Sequence, residues 1–137
     1  MAELLATPGG KACQTNQVLY NLKRRWPEDA ILLAQMAHAM PLMAYSPLDH
    51  GALASNAGLN RIVGKAGLDP MHLAQAWTLR HDDVFALKST HPNRISGFLE
   101  AAALSLPDHI LAALDAAFPR KHPARNWRCY SPNPQRS

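Results

Sequence analysis

Short apolar runs alternate with stretches of helical periodicity along most of the chain. Residues 13–20 form an extended segment in which Gln17 and Tyr20 point to opposite faces, as in a half-buried strand. Residues 42–45 and 84–87 are continuous apolar runs, which are typical of strands covered on both faces. The pattern therefore predicts three strands, each followed by sequence of helical character.

Helical periodicity predicts at least one helix after each strand. The first helix is predicted over 27–40, and its apolar spacing predicts one buried stripe: Leu33, Met36, Ala37 and Met40. Two helices are predicted after the second strand: one over 59–66 that ends at Gly67, and one from Pro70 onward with Asp69 as its cap. The remaining two are predicted over 92–103 and 107–118.

The order of these elements defines the fold class. Strands that alternate with helices are expected to be parallel and joined by right-handed crossovers, so the class is α/β. Loops and helix N-termini converge at the carboxyl ends of such strands, where ligands bind. The residues that follow each strand are therefore the candidates for chemistry.

A phosphate-sized site is predicted after the third strand. Lys88 leaves the strand, Ser89 and Thr90 follow, and Arg94 falls in the first turn of the next helix. Free backbone N–H groups and the helix dipole attract an anion there. The alternative is two solvated cations beside an ordinary helix start, and this segment alone leaves both open.

Polar and aromatic residues also lie near the ends of the other two strands. Tyr45 could present its ring to a flat heterocycle, and Ser46 could donate a hydrogen bond to a pyrophosphate. Gln17 could bond a carboxamide through its own amide. The structural alternatives are a core tyrosine with a satisfied hydroxyl and a glutamine that serves only the fold.

The seven histidines and two cysteines show no metal-binding pattern. His50 lies in a loop at the expected ligand end, so a catalytic histidine and an ordinary loop residue are both open there. His72 and His109 fall early in helices, where we expect exposure. Cys13 and Cys129 are far apart, which favours a reducing cytoplasm over a disulfide framework.

The net charge of +4 is unevenly distributed. Residues 119–137 hold five of the 14 bases and none of the 10 acids, so the rest of the chain has 9 bases and 10 acids. The basic character therefore belongs to a Pro-rich tail that we expect to be poorly ordered, and nucleic acid is not favoured as a partner. No apolar run approaches the length of a membrane span, and no secretory signal is expected.

Four segments, taken in their order and spacing, resemble the aldo/keto reductase family over about residues 3–118. They are residues 15–21 (TNQVLYN), 43–48 (MAYSPL), 87–94 (LKSTHPNR) and 106–115 (LPDHILAALD). That family of oxidoreductases is a (β/α)8, or TIM, barrel that reduces aldehydes and ketones with NADPH. The resemblance implies a partial TIM barrel, with about three βα units, strands six to eight, and a C-terminal helix.

The resemblance also implies a site for NADP(H). Gln17 would contact the nicotinamide carboxamide, Tyr45 would stack on the nicotinamide ring, and Ser46 and Leu48 would line the pyrophosphate. The adenosine 2′-phosphate would be held by the residues after the third strand: Lys88, Ser89, Thr90 and Arg94. This implied role agrees with the anion site predicted from the residues themselves.

Four positions depart from the family pattern. Asp49 stands where the family usually has glycine, and Leu87 where it has proline. Gly97 and Phe98 replace a Glu-Asn pair that contacts adenine. We therefore expect a weaker affinity for NADP(H) than is usual in the family.

The catalytic groups of the family are expected to be absent. Its aspartate, tyrosine, lysine and histidine lie in the first half of the barrel, before the segments matched here, so no catalytic residue is assigned. Residues 1–118 are expected to be the C-terminal half of an aldo/keto reductase domain, a truncated or frameshifted fragment that is inactive alone. Two open strand edges predict self-association or a complementary N-terminal half as partner. The alternatives are a non-catalytic dinucleotide-binding module and a structural or interaction protein whose basic tail binds acidic partners.

Overall fold

Helices and strands follow one another as the sequence pattern predicts. The structure, a computed structural model, describes residues 2–81, 84–85 and 91–120. Its strands are β1 (Asn16–Leu19), β2 (Leu42–Tyr45) and β3 (Val84–Phe85). Its α-helices are α1 (Ala2–Ala6), α2 (Trp26–Ala30), α3 (Leu32–Ala37), α4 (Ala57–Ala66), α5 (Pro70–Leu79), α6 (Pro92–Ala103) and α7 (Asp108–Ala117). Short 3-10 turns cover Gly10–Ala12 and Asp49–Gly51.

The three strands form one parallel sheet in the order β1-β2-β3. Gln17 pairs with Met43 and Leu19 with Tyr45 in the register of the first two strands. Parallel neighbours that are connected through helices define three βα units, with α7 as the additional C-terminal helix. The α/β class and the number of units are confirmed.

The core lies on one face of this sheet. Leu42 and Ala44 are buried, whereas Tyr45 on the alternate face of β2 is 45% exposed. The largest fully buried apolar side chains come from β2, the helices and the segments beside them: Tyr20, Leu22, Leu42, Leu53, Leu59, Leu73, Trp77 and Leu114. The prediction that the second strand is covered on both faces is wrong in the part of the chain that the structure describes, because burial there is confined to one face.

Local capping fixes α4 and α5. Asn56 accepts a hydrogen bond from the Leu59 amide at 3.0 Å, and Gly67 ends α4 in the left-handed region at φ 67°. Asp69 Oδ1 accepts hydrogen bonds from the amides of Met71 at 2.8 Å and His72 at 3.1 Å. The predicted stop at Gly67 and the predicted cap at Asp69 are both confirmed.

The single helix predicted over 27–40 is wrong in its continuity and in its buried face. Ile31 leaves the helical conformation at φ −132° and divides the segment into α2 and α3. The break rotates α3, so Leu32 and Gln35 are buried while Leu33 is 76% and Met36 62% exposed. Of the predicted stripe only Met40 is buried, and it lies beyond the end of the helix.

A cluster of charged side chains connects α2 to α5 and α7. Glu28 accepts hydrogen bonds from Arg25, Arg80 and Tyr20, each at 2.9 Å. Arg25 also donates to Asp115 at 2.7 Å. We call Tyr20, Arg25, Glu28 and Arg80 the Glu28 cluster. Its two ion pairs, Arg25–Glu28 and Arg80–Glu28, are almost completely buried and join α2 to the end of α5, while the pair with Asp115 of α7 is partly exposed.

Helices α6 and α7 were predicted with nearly the observed bounds. Among the described residues no single helix is long and apolar enough to cross a membrane; only α6 and α7 taken together, bent by 111°, meet that test by length and composition. Arg120, from the start of the predicted tail, lies 3.6 Å from Asp29. The remainder of the tail, 121–137, lies outside the described residues.

Candidate functional site

The loop after β2 contains three non-glycine residues in left-handed conformations at the carboxyl end of the sheet. Ser46, Asp49 and His50 all adopt positive φ, at 51°, 49° and 55°. These are left-handed conformations that non-glycine residues adopt at a cost, so the surrounding contacts must hold the loop in place. The positive φ of Asp49 also gives a physical reason why glycine suits that position.

Two contacts from the turn after β1 supply that support. The buried Asn21 donates a hydrogen bond through Nδ2 to the Ser46 carbonyl at 2.9 Å. Its Oδ1 accepts from the amides of Lys23 and Arg24 at 2.9 and 3.0 Å. Lys23 Nζ lies 2.9 Å from Asp49 Oδ2. The negative charge expected from Asp49 is thus paired with a cation beside it.

Gln17 and Tyr45 lie on the same face of the sheet. Gln17 and Leu19 alternate onto one side of β1, and the register places Tyr45 opposite Leu19 on that side. Both Gln17 and Tyr45 are exposed. This face points away from the core, so Tyr45 is not the core tyrosine that was the alternative, while both interpretations of Gln17 stay open.

Ser46 and Leu48, which the family resemblance assigns to the pyrophosphate, come directly after β2 in the chain. Ser46 is half-buried, and its Oγ lies 3.3 Å from His50 Nε2. Leu48 is half-buried and lines a cavity, which His50 also lines. The loop therefore connects the exposed sheet face of Tyr45 to that cavity.

The cavity has a volume of about 610 Å³ and opens between this loop and the starts of α5 and α6. Its lining includes Leu48, His50, His72, Gln75, Arg94 and Phe98. The structure thus brings together Leu48 and Arg94 of the predicted site, with Arg94 exposed in the first turn of α6. Lys88, Ser89 and Thr90 lie outside the described residues, so their place beside Arg94 stays a prediction.

His72 and Gln75 line the cavity but were not predicted to belong to a site. The expectation that His72 is exposed early in its helix is wrong, because it is half-buried against α6, whereas His109 is exposed as expected. Gln75 is fully buried within α5. A polar amide among the apolar residues of a buried helix was the available signal.

Tyr20 is unsuited to proton donation at this site. Its ring is fully buried, and its hydroxyl donates to Glu28 at 2.9 Å. Burial raises the pKa of the Tyr20 phenol well above its usual range, and the Glu28 carboxylate adds to this against the opposing charge of Arg80. The tyrosine therefore belongs to the Glu28 cluster.

Among the described residues, no group of three or more His, Cys, Asp or Glu side chains could hold a metal ion. The side chains along the described site offer an aromatic ring, amides, a guanidinium, imidazoles and the carboxylate of Asp69.

Parallel βα units with polar side chains at the carboxyl ends of the strands are consistent with part of a (β/α)8 barrel. The comparisons with known proteins agree. Methylglyoxal reductase YeaE of Escherichia coli K12 is 35% identical to this chain over 128 residues, covering 87% of the chain and 44% of the relative. An aldo-keto reductase of Mycolicibacterium vanbaalenii is 32% identical over 78 residues, covering 57% of this chain and 28% of that protein. No protein-family model matches the chain.

Solved structures give the same result. An aldo/keto reductase from Klebsiella pneumoniae in complex with NADP and acetate superposes with a TM-score of 0.81 at 28% identity, covering 88% of this chain and 44% of the other. A structure of an enzyme from the same organism in complex with NADPH gives a TM-score of 0.80. The chain is a homologue of the aldo/keto reductases and corresponds to their C-terminal portion. It spans less than half the length of these relatives.

Proposed function

We propose that this chain forms the NADP(H)-binding side of an aldo/keto reductase. The observation that carries the proposal is the continuous surface at the carboxyl ends of the strands. It runs from the exposed face of Gln17 and Tyr45, along the loop after β2, to the cavity that Leu48 and Arg94 line. Relatives with this fold hold NADP and NADPH.

Each residue then has a role that its position allows. Gln17 contacts the nicotinamide carboxamide, and Tyr45 offers its exposed ring to the nicotinamide. Ser46 and Leu48 line the pyrophosphate, and Arg94 binds the adenosine 2′-phosphate together with Lys88, Ser89 and Thr90. The bound NADPH supplies the hydride, while these residues hold and orient it.

The chain alone is proposed to be catalytically incompetent. The family's aspartate, tyrosine, lysine and histidine belong to the part of the relatives that this chain does not match. Tyr20 is sequestered in the Glu28 cluster and Tyr45 faces the cofactor, so neither replaces the missing proton donor. Reduction of an aldehyde or ketone would need a complementary N-terminal half, in the cytoplasm where NADPH is available.

Association with such a half, or with a second copy of this chain, is supported by uncovered apolar surface. Leu33 and Met36 of α3 and Ile95 and Leu99 of α6 are all at least half exposed. In the described sheet β1 and β3 are edge strands. Open edges and exposed apolar helix faces favour pairing with another polypeptide.

The affinity for NADP(H) is proposed to be weaker than the family norm. Gly97 and Phe98 carry no hydrogen-bonding side chain for a purine. The pairing of Asp49 with Lys23 limits the electrostatic penalty near the pyrophosphate, so we assign the loss to the adenine end.

Thermal unfolding of the full chain with and without NADPH tests the proposal. A ligand at 100 times its Kd stabilises a fold by about 2.7 kcal/mol, which shifts Tm by several degrees in a domain of this size. Lys88→Ala and Arg94→Ala are expected to reduce the shift with NADPH to the shift with NADH, which lacks the 2′-phosphate. Arg61→Ala, which removes an exposed arginine of α4 that does not line the cavity, is the matched control.

If millimolar NADPH did not raise the Tm of the wild-type chain, the proposed site would be overturned. Absorbance at 340 nm, followed with the pure chain and a panel of aldehydes, tests competence: no NADPH oxidation is expected. Turnover by the pure chain would show that the catalytic groups are present after all.

A further inference from the structure

Gln75 lies at the floor of the cavity with its amide unpaired. The side chain is fully buried, yet neither Oε1 nor Nε2 has a hydrogen-bond partner in the part of the chain that the structure describes. An unpaired buried amide is costly, and buried polar groups are normally satisfied. Because Gln75 lines the cavity, a ligand with a donor and an acceptor side by side is the partner that its environment lacks.

His72 lies one helical turn before Gln75 and lines the same cavity. It packs on Gly97 of α6 so closely that a Cβ at position 97 would lie 2.5 Å from His72 Nε2. The imidazole therefore occupies the space that any side chain at position 97 would take. Phe98, the next residue of α6, lines the cavity with an aromatic ring.

We propose that His72 and Gln75 form the purine-recognition edge of the dinucleotide site in this chain, and this inference rests on the proposed function. An amide that donates and accepts side by side matches the amino group and N7 of adenine, as glutamine does when it recognises adenine in DNA. His72 adds a second hydrogen-bonding group at the rim of the cavity. The Phe98 ring supplies a flat apolar surface for the base.

Arg94 fixes the orientation of the ligand. It is exposed at the mouth of the cavity that Gln75 closes at the floor, so a phosphate and a base can be held at the two ends. The cavity volume of about 610 Å³ is within the usual range for a ligand pocket. The chain thus carries its hydrogen-bonding groups for the base on α5, because Gly97 and Phe98 of α6 have no hydrogen-bonding side chain.

The test compares two reduced cofactors that differ only in the base. Nicotinamide hypoxanthine dinucleotide phosphate carries a carbonyl oxygen where NADPH carries the adenine amino group. The wild-type chain is expected to bind NADPH about tenfold more tightly than this analogue, as measured by cofactor fluorescence. Gln75→Leu is expected to bind both equally, since one hydrogen-bonded edge corresponds to about that factor.

Gln75→Leu also separates binding from folding. It replaces an unpaired buried amide by an apolar side chain of similar volume, so the free protein should unfold at an equal or higher temperature. Gln35→Leu is the matched control: Gln35 is equally buried and unpaired but lines a different cavity, beside Met40 and Leu42. Gln35→Leu should leave the preference between the two cofactors unchanged.

A second pair of variants tests the contact between His72 and Gly97. Gly97→Ala should displace the imidazole and weaken NADPH binding about fivefold, as should His72→Ala. The double variant should bind no more weakly than either single one, because both remove the same contact. His109→Ala, at an exposed histidine that also starts a helix, should have no effect.

Two results would overturn the inference. If wild type binds NADPH but Gln75→Leu keeps the tenfold preference, the amide does not read the base, and the proposed function stands without it. If wild type binds neither cofactor, the proposed function and this inference both fail.

Discussion

One face of the three-stranded sheet is buried against helices, and the other face is exposed. On the helix side Leu42 and Ala44 are buried, and Tyr20 and Trp77 pack with ring centroids 5.4 Å apart. On the other side Tyr45 and Gln17 are exposed. The difference shows that α2 to α7 complete one face within this chain, while the other face has its polar and aromatic groups available to a ligand or a second polypeptide.

Electrostatic contacts follow the same division. Trp77, on the packed side, lies beneath the guanidinium of Arg80, whose Cζ is 3.6 Å from the ring centroid. Arg80 also pairs with Glu28. On the site side, Arg94 is exposed at the mouth of a cavity. The charge of Arg80 is therefore paired within the fold, whereas Arg94 is exposed where it lines the cavity.

The largest effect on the packed side is expected from Glu28→Gln. Removing one partner of a buried ion pair leaves the other charge uncompensated and costs about 3 kcal/mol or more. Urea unfolding at pH 7 measures the loss. Asp115→Asn is the control, since its side chain is 59% exposed and its pair with Arg25 should contribute less than about 1 kcal/mol.

The contribution of Glu28 to the free energy of unfolding should decrease as the pH is lowered. Burial alone would raise the pKa of Glu28, but hydrogen bonds from Arg25 and Tyr20 and the charges of Arg25 and Arg80 outweigh it and lower the pKa below its ordinary value of 4.5. A lowered pKa in the folded state stabilises the protein above pH 4.5, and this stabilisation is lost as the pH falls through the folded pKa. The difference in the free energy of unfolding between wild type and Glu28→Gln should therefore decrease below pH 4.5. If that difference in the free energy of unfolding did not change with pH, Glu28 would not be the titrating group.

The next largest change in the free energy of unfolding is expected from a leucine of the core, and a leucine of the surface provides the comparison. Leu59→Ala removes a fully buried side chain of α4 and should cost about 2–4 kcal/mol in the free energy of unfolding. Leu33→Ala, on the exposed face of α3, should stay within about 0.5 kcal/mol. A cost above 1 kcal/mol for Leu33→Ala would mean that its face is covered in solution, which size measurement of the same sample would identify as association.

The exposed Leu33 also marks the limit of what the sequence could predict. Period and capping residues predicted α4 to α7 well, because Asp69, Pro70, Gly67 and Pro92 act within one helical turn. The same reasoning predicted the wrong stripe in the first helix, since a break at Ile31 shifts the phase of every later residue. A local pattern contains no signal for a turn that tertiary packing imposes.

The candidate site divides in the same way. Gln17, Tyr45 and Ser46 became candidates because each lies within or next to a strand of recognisable pattern, and Leu48 because of the resemblance to the aldo/keto reductases. Gln75 and His72 could not be predicted, because their importance depends on which face of α5 meets α6, a contact between segments about 25 residues apart. Their place at the cavity became visible only when the cavity and the space beside Gly97 were known.

The two tyrosines of the sheet region offer the smallest effect on stability and the clearest contrast in function. Tyr45→Ala removes a ring that is 45% exposed, so the free energy of unfolding should change by no more than about 0.5 kcal/mol. Tyr20→Phe removes the hydrogen bond to Glu28 and should cost about 1 kcal/mol. For the affinity for NADPH, in contrast, Tyr45→Ala should have a larger effect than Tyr20→Phe. Tyr45→Ala should weaken NADPH but leave 2′,5′-ADP, which has no nicotinamide, unchanged, and Tyr20→Phe should alter neither. Equal weakening of both ligands by Tyr45→Ala would place its ring elsewhere than on the nicotinamide.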